Sequence, residues 1–198
     1  MKKPVKTAGI FLAIGLGIVL LIAGLGFFWL ATSENLPVTN QDKNVIVRAT
    51  DLIQYFDDFS PLEAHETFEK LKYLDGSVDL DYEYDSPNED DPYITATVTH
   101  DNSKSDASAT YMIEWSAMRL GLNIGDGDID LVENNSFYSA GDESRFANMT
   151  YAGEPAGHLL VVRQGNSVYA FAIMGFLIED SAMWRELFDE RIAGLQRN

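Results

Sequence analysis

The sequence predicts an α+β fold: a mostly antiparallel sheet packed with two or three helices, preceded by one transmembrane helix. Three observations support this prediction. Residues 8–31 form an uninterrupted apolar run, residues 78–84 alternate between apolar and acidic, and apolar residues recur at helical spacing near the C-terminus. A period of two residues is typical of a half-buried strand, and a period near 3.6 is typical of an amphipathic helix.

The N-terminal run is long enough to span a bilayer, which takes about 20 apolar residues in a helix. A cleaved signal peptide, the alternative, has an apolar region of only about 7–15 residues. The signal peptide stays open as an alternative because residues 31–33, Ala-Thr-Ser, are compatible with a weak cleavage site. We therefore expect a single-pass transmembrane helix over residues 8–31.

Charge predicts the orientation of this helix. Lys2, Lys3 and Lys6 precede it, whereas residues 32–41 contain no lysine or arginine. Basic residues favour the cytoplasmic side. We expect residues 1–7 to be cytoplasmic and the C-terminal domain to be periplasmic or otherwise extracytoplasmic, at the cell (inner) membrane.

Small residues recur along one side of the predicted span. Gly9, Ala13 and Gly17 are spaced by four, so they share a helix face that another helix could approach closely. The alternative is that glycine is simply common in transmembrane helices. The pattern predicts a protein partner or self-association through this face.

Composition narrows what the remaining chain can be. There is no cysteine, which excludes disulfides and thiolate metal sites, and the apolar content of 46% indicates a folded domain. The formal net charge of −17 disfavours binding to nucleic acid. The polar residues 32–43 read as a linker, and residues 44–198 as the domain.

The first half of the domain contains four predicted elements. Residues 44–48 are β-like. A helix is predicted over residues 60–75, with Ser60 and Glu63 as a capping box and Ala64, Phe68 and Leu71 as its apolar face. Residues 78–84 and 93–100 are predicted to pair as a hairpin across an acidic turn.

The second half is predicted as a helix, four strands and a helix. The first helix begins near Ser105 and ends at Gly121, with Tyr111, Met112, Trp115 and Met118 on one face. The predicted strands are 129–132, 145–151, 157–164 and 167–178, the last two joined by a two-residue turn at Gly165 and Asn166. Asp180 or Ser181 caps a final helix, whose predicted buried stripe is Trp184, Leu187, Phe188, Ile192 and Leu195.

This order of elements resembles the Mog1/PsbP-like α+β sandwich. The residues that carry the resemblance are Gly141, Asp142, Phe146, residues 160–163, Gly165, Asn166, Val168, Tyr169, Gly175, the closing helix and the upstream helix around residues 111–119. The resemblance implies an extracytoplasmic accessory or binding module without chemistry of its own. Such a likeness concerns the fold, and a fold does not by itself define a function.

The histidines give no clear metal site. His65, His100 and His158 fall on three different predicted elements, and they are expected to be structural or surface residues. The sequence from His65 to Glu69 resembles the zinc-binding HExxH helix, but Glu69 stands where the second histidine is required.

Asp126, Asp128 and Asp130 resemble the start of a calcium loop. An EF-hand needs glycine at position six and glutamate at position twelve, where this chain has Leu131 and Phe137. The spacing therefore excludes an EF-hand. A solvated turn is expected, and a non-standard calcium site is the alternative.

Catalytic motifs are not found. The sequence contains neither a Gly-x-Ser-x-Gly elbow nor an S-x-x-K motif, so we expect no catalytic residues, cofactor or metal. The sequence predicts a membrane-anchored, non-enzymatic accessory or interaction protein, a subunit or assembly factor of a membrane complex. The alternative is a free-standing extracytoplasmic domain that binds a ligand or cation.

Overall fold

The structure is a computed structural model that describes residues 33–56, 59–88, 91–124 and 129–195. The predicted cytoplasmic segment 1–7 and the predicted helix 8–31, including Gly9, Ala13 and Gly17, lie outside these ranges.

One antiparallel sheet of eight strands dominates the fold. The strands lie in the order β1-β2-β3-β4-β8-β7-β6-β5. They are β1 Glu34–Asn35, β2 Glu66–Lys72, β3 Val78–Tyr84, β4 Tyr93–His100, β5 Ile129–Glu133, β6 Glu143–Tyr151, β7 Glu154–Gln164 and β8 Ser167–Met174. The helices are α1 Asn40–Val45, α2 Lys104–Ile124 and α3 Ser181–Gly194, with 3₁₀ turns at Ala49–Tyr55 and Glu63–His65.

Two antiparallel meanders join at the centre of the sheet. Strands β2 to β4 form the first and β5 to β8 the second, with α2 as the connection between them. The two meet where β4 pairs with β8 in an eight-residue register from Tyr93 opposite Met174 to His100 opposite Ser167. This pairing makes one continuous sheet, so α2 and α3 have two large faces to pack against.

The predicted fold class is wrong. The sequence predicts an α+β sandwich of the Mog1/PsbP type with a preceding transmembrane helix. The described part of the structure is instead largely sheet: a single eight-stranded antiparallel sheet with three α-helices. Among the residues that the structure describes, no helix is long and apolar enough to cross a membrane. The single-pass transmembrane helix predicted from the sequence is not found among the described residues.

A main reason for the difference is the segment 60–75, which was predicted as a helix. It forms a short 3₁₀ turn followed by β2, which pairs with β3 over seven residues from Glu66 opposite Tyr84 to Lys72 opposite Val78. Phe68 and Lys70 face one side of the strand, while Glu69 and Leu71 face the other. Cross-strand pairing outweighs a capping signal and three helically spaced residues.

The segment around residues 33–48 also differs from its prediction. Residues 44–48 do not form a strand, because α1 extends to Val45. Within the predicted linker, β1 pairs with β2, and Thr39 and Asp42 form a capping box that begins α1. These residues are therefore part of the folded unit.

The other predicted elements are confirmed, except that the last strand ends at Met174 and not at residue 178. The 78–84 and 93–100 hairpin is present, as are the helix after residue 104, the strand at 129 and the three strands of the final third. Gly165 has a φ of 66° in the β7–β8 turn, a conformation that favours glycine. Helix α2 continues past Gly121 to Ile124.

Helix α3 covers the first face of the sheet. Trp184 is fully buried, stacks on Phe188 with 4.9 Å between ring centroids, and donates from Nε1 to the Ile178 carbonyl at 3.1 Å. The 3₁₀ turn that begins at Ala49 lies on the same face of the sheet. Its Ala49 amide donates to the Tyr82 hydroxyl of β3 at 2.7 Å. This face forms the main apolar core.

The start of α3 gives a first testable prediction. The Asp180 side chain accepts a hydrogen bond from the Ala182 amide at 2.8 Å and so caps the helix. Asp180→Ala is expected to lower the free energy of unfolding by about 1 kcal/mol, because the amide loses its partner. Urea unfolding measures this change. Since asparagine caps equally well, Asp180→Asn is the control, and an equal loss in both variants would contradict the capping role.

Candidate functional site

The second face of the sheet changes in chemistry from one edge to the other. Directly paired residues share a face, so one row of side chains runs across the strands from Glu69 and Asp81 through Thr97 to Ala170 and Val161. The neighbouring row places Leu71 and Asp79 beside Thr99 and Val168. This face is therefore acidic on β2 and β3, hydroxylated on β4 and apolar on β8 and β7.

Helix α2 covers the apolar part of this face. Ala107, Tyr111 and Trp115 recur every four residues and are buried in one cluster with β7 and β8 side chains. On one flank of the helix, the Arg145 guanidinium lies over the Trp115 ring at 5.4 Å from its centroid. On this side of the sheet α2 packs mainly on β7 and β8 and also contacts β4.

We define the acidic strip as Glu69, Asp79, Asp81 and Glu83 of β2 and β3, together with Glu114 of α2. Hydroxyl groups of the same face hold three of these carboxylates. Thr97 donates to Asp81 at 2.7 Å, Tyr73 to Asp79 at 2.8 Å and Tyr93 to Glu83 at 3.0 Å. Asp79, Asp81 and Glu83 are thus held in place by the fold.

Burial and mutual repulsion make the strip difficult to ionise. Burial, supported by the nearby charges of Asp79 and Glu69, raises the pKa of Asp81 to about 6. Burial, together with the charges of Asp79, Asp81 and Asp101, raises the pKa of Glu114 to about 7. Burial also raises the pKa of Asp79. Near neutral pH this part of the surface holds negative charge at a free-energy cost.

The strands beneath the strip supply no lysine or arginine to it. Lys70 and Lys72 are the only such residues of β2 to β4, and they alternate to the other face, where Lys70 binds Asp42 at 2.7 Å. Opposite charges near a carboxylate would favour its ionised form. The strip is therefore suited to contact with an external cation.

The outer face of α2 lies next to this strip. We define the apolar stripe as Ala109, Met112, Ile113, Ser116 and Leu120, which are all exposed and uncharged. Met112, Ile113 and Leu120 are 46%, 59% and 54% exposed. Met112, which was predicted on the buried face, belongs here instead. A helix that faces solvent normally carries charged residues on that side.

The structure places the three histidines on separate elements: His65 ends a 3₁₀ turn, His100 ends β4 and His158 lies in β7. His158 is buried in the aromatic core, where its Nε2 accepts from the Ile178 amide at 2.9 Å and its Nδ1 donates to Asn148 at 3.0 Å. Burial lowers the pKa of His158 to about 4. His100 Nδ1 lies 2.7 Å from the Ser167 hydroxyl, six residues along β8 from the position opposite His158. These contacts are structural.

Metal ligands do not converge in the part of the chain that the structure describes. Within residues 33–56, 59–88, 91–124 and 129–195, no group of three or more histidine, aspartate or glutamate side chains could hold a metal ion. The HExxH-like segment is not helical, since Glu69 lies in β2. Asp126 and Asp128 lie outside the described residues, and Asp130 pairs with Thr150 in the sheet.

A cavity between α1 and α3 is a weaker candidate. It measures about 420 Å³ and is lined in part by Arg48 and Arg191. Both guanidinium groups already bind carboxylates, Arg48 to Glu66 at 2.5 Å and Arg191 to Asp51 at 2.9 Å. Each guanidinium group at this cavity therefore already has a carboxylate partner within the fold.

The acidic strip and the apolar stripe were missed in the sequence because each needs tertiary information. The alternation of Asp79, Asp81 and Glu83 predicts the solvent side of a half-buried strand. Only the pairing with β2 adds Glu69, and only the packing of α2 adds Glu114. Helical spacing alone predicts Met112 on the same face as Tyr111 and Trp115, whereas the structure exposes it.

Comparison with known proteins gave no significant match to a family model, a curated protein or a solved structure. These comparisons neither support nor oppose a relationship to the Mog1/PsbP-like proteins.

Proposed function

We propose that the protein is a non-enzymatic interaction module, an accessory subunit that binds a protein partner through the apolar stripe of α2. One observation carries the proposal: from Ala109 to Leu120 the outer side of this helix exposes Met112, Ile113 and Leu120. The charged Asp106 and Arg119 lie at its start and on one flank. Contiguous exposed apolar surface commonly marks a binding site.

The contrast with the rest of the molecule supports this interpretation. Charged residues make up 23% of the chain, and the net charge is −17. The uncharged stripe therefore differs from the strongly charged remainder of the chain. Helix α2 is anchored through Tyr111 and Trp115 on its opposite side. The stripe is therefore not needed to hold the helix on the sheet, and a partner would bury surface that folding leaves exposed.

Site-specific photo-crosslinking in cells tests the proposal. Benzoylphenylalanine placed at Ile113 or at Leu120 in the full-length chain is expected to give a discrete adduct with a partner protein, because both positions lie in the stripe. The matched control is Leu74, which is 77% exposed but lies in the β2–β3 turn, outside the stripe. The measurement is the adduct pattern on immunoblots, followed by mass spectrometry.

The expected result is an adduct at Ile113 and Leu120 and none at Leu74. Crosslinking that is equally strong at all three positions, or absent from both stripe positions, would contradict an interaction through α2.

A further inference from the structure

We infer that the partner presents a basic amphipathic helix, whose apolar side packs on the apolar stripe while its lysine or arginine residues lie over the acidic strip. This inference rests on the proposed function and specifies the chemistry of the partner.

The two surfaces are contiguous around α2. Going around the helix from Glu114, the next side chains are Thr110 and Ala117, at i−4 and i+3, then Asp106 in the first turn, and then Ile113 and Leu120. Glu114 senses the charges of Asp79 and Asp81, so its flank of the helix faces β3. A helix laid along α2 on this flank would contact both the stripe and the strip.

The charge of the acidic strip favours a cationic partner. The strip holds carboxylates on both strands and on α2, and the two lysines of β2 lie on the opposite face. Burial and neighbouring negative charges disfavour the ionised form of these carboxylates. An added cation nearby favours that form, so such carboxylates are stabilised most by a cationic partner. A partner with basic residues on one side of its apolar stripe supplies that charge and also covers Ile113 and Leu120.

The same charges argue against other occupants of the stripe. A second copy of the chain would bring together two molecules that each have a formal net charge of −17. An anionic lipid surface would be repelled by the strip for the same reason. A basic helix is the occupant whose chemistry fits both surfaces.

Titration with two synthetic peptides tests the inference. Both are amphipathic helices of about 18 residues, long enough to be helical. One has leucine on its apolar side and lysine on its polar side, and the other has leucine and glutamate. Fluorescence anisotropy with the full-length chain is expected to show binding of the leucine–lysine peptide at least tenfold tighter than that of the leucine–glutamate peptide, and weaker binding as salt is added.

Two double variants assign the binding to the two surfaces. Ile113→Ser with Leu120→Ser is expected to weaken binding of the basic peptide at least tenfold. Asp81→Asn with Glu114→Gln is expected to weaken it about tenfold and to reduce its salt dependence. The matched controls are Leu74→Ser for the stripe and Glu190→Gln for the strip. Glu190 is an exposed carboxylate of α3, on the other face of the sheet.

The possible outcomes separate the two proposals. Equal binding of both peptides, or binding that Asp81→Asn with Glu114→Gln leaves unchanged, overturns the basic partner but not the stripe. Binding of the basic peptide that the serine variant leaves unchanged counts against the stripe and thus against the proposed function. A dimer in sedimentation that Ile113→Ser abolishes would identify a second copy as the occupant and overturn the inference.

Discussion

Gly157→Ala is expected to lower the free energy of unfolding by about 3 kcal/mol or more, the upper range for overpacking a well-packed site. Gly157 lies in β7, directly opposite Met149 of β6 and Met174 of β8. A Cβ atom at this position would lie 2.0 Å from the carbonyl oxygen of Ile173 and 2.9 Å from the Cα of Met174. Both are backbone atoms, so no side-chain rotation can remove the clash.

The clash cannot be relieved cheaply because the surrounding strands are paired on both sides. The register of β6 and β7 shifts between Met149 and Thr150, next to Gly157, so the strands are already irregular here. Moving β8 away would disturb its pairing with β4, which joins the two halves of the sheet. We expect the added methyl group to weaken the whole fold and not one turn alone.

Denaturant unfolding followed by circular dichroism measures the loss. Gly194→Ala is the matched control, because nothing lies within 4 Å of the added Cβ and the residue ends α3. Alanine is the better helix former, so this control is expected to be neutral or up to about 1 kcal/mol more stable. A Gly157→Ala midpoint equal to that of the wild type would show that β7 and β8 can separate freely at this point.

Local patterns predicted those elements of the fold whose partners are close in sequence. The hairpin of β7 and β8 was predicted correctly, since a two-residue turn at Gly165 joins two strongly apolar runs. Helix α3 was also predicted correctly, because Asp180 provides a cap and Trp184 begins a clear helical stripe. In both cases the information lies within a short stretch of the chain.

The fold class could not be predicted in this way because it depends on distant pairing. The contact between β4 and β8 joins Tyr93 to Met174, and no periodicity in either strand specifies the other. The strand β2 was hidden behind a helix-like start at Ser60 and Glu63, and it becomes a strand because β3 pairs with it along its full length. Single-sequence propensity is a weak prior where tertiary pairing decides.

The candidate site was hidden for the same reason. Its carboxylates come from β2, β3 and α2, and the strand alternation that exposes Asp79 and Asp81 is also typical of an ordinary solvent face. What distinguishes the strip is the packing of α2 beside it, which buries Glu114 next to like charges. This arrangement is unfavourable for the folded state whenever the carboxylates are ionised, which makes it measurable.

Glu114→Gln is expected to stabilise the protein by about 1–2 kcal/mol at pH 8 and by much less at pH 5. The pKa of Glu114 is raised from 4.5 to about 7, so the folded state favours the protonated acid. A raised acidic pKa costs stability as the pH rises from the unfolded value through the folded value. A change of one in pKa corresponds to about 1.4 kcal/mol, and the expected gain is smaller than the full change because Glu114 is partly accessible and interacts with its neighbours.

The neighbouring groups reinforce this direction. Asp79 and Asp81 of β3 and Asp101 after β4 are the charges that act on Glu114, and the pKa of Asp81, raised to about 6, adds a loss of stability over a similar pH range. His158 acts in the opposite direction at lower pH. Its pKa is lowered from 6.5 to about 4, so stability is lost as the pH falls through that interval. The glutamine variant removes only the contribution from the strip.

Urea unfolding of the full-length wild type, Glu114→Gln and Glu190→Gln at pH 5 and pH 8 checks the expectation. Glu190→Gln removes the same formal charge from an exposed position of α3, so it corrects for the change in net charge. A gain for Glu114→Gln that exceeds the control at pH 8 and vanishes at pH 5 shows that ionising the strip strains the contact between α2 and β3. The same gain at both values would instead assign the effect to packing, and a loss at pH 8 would show that the ionised Glu114 stabilises the fold.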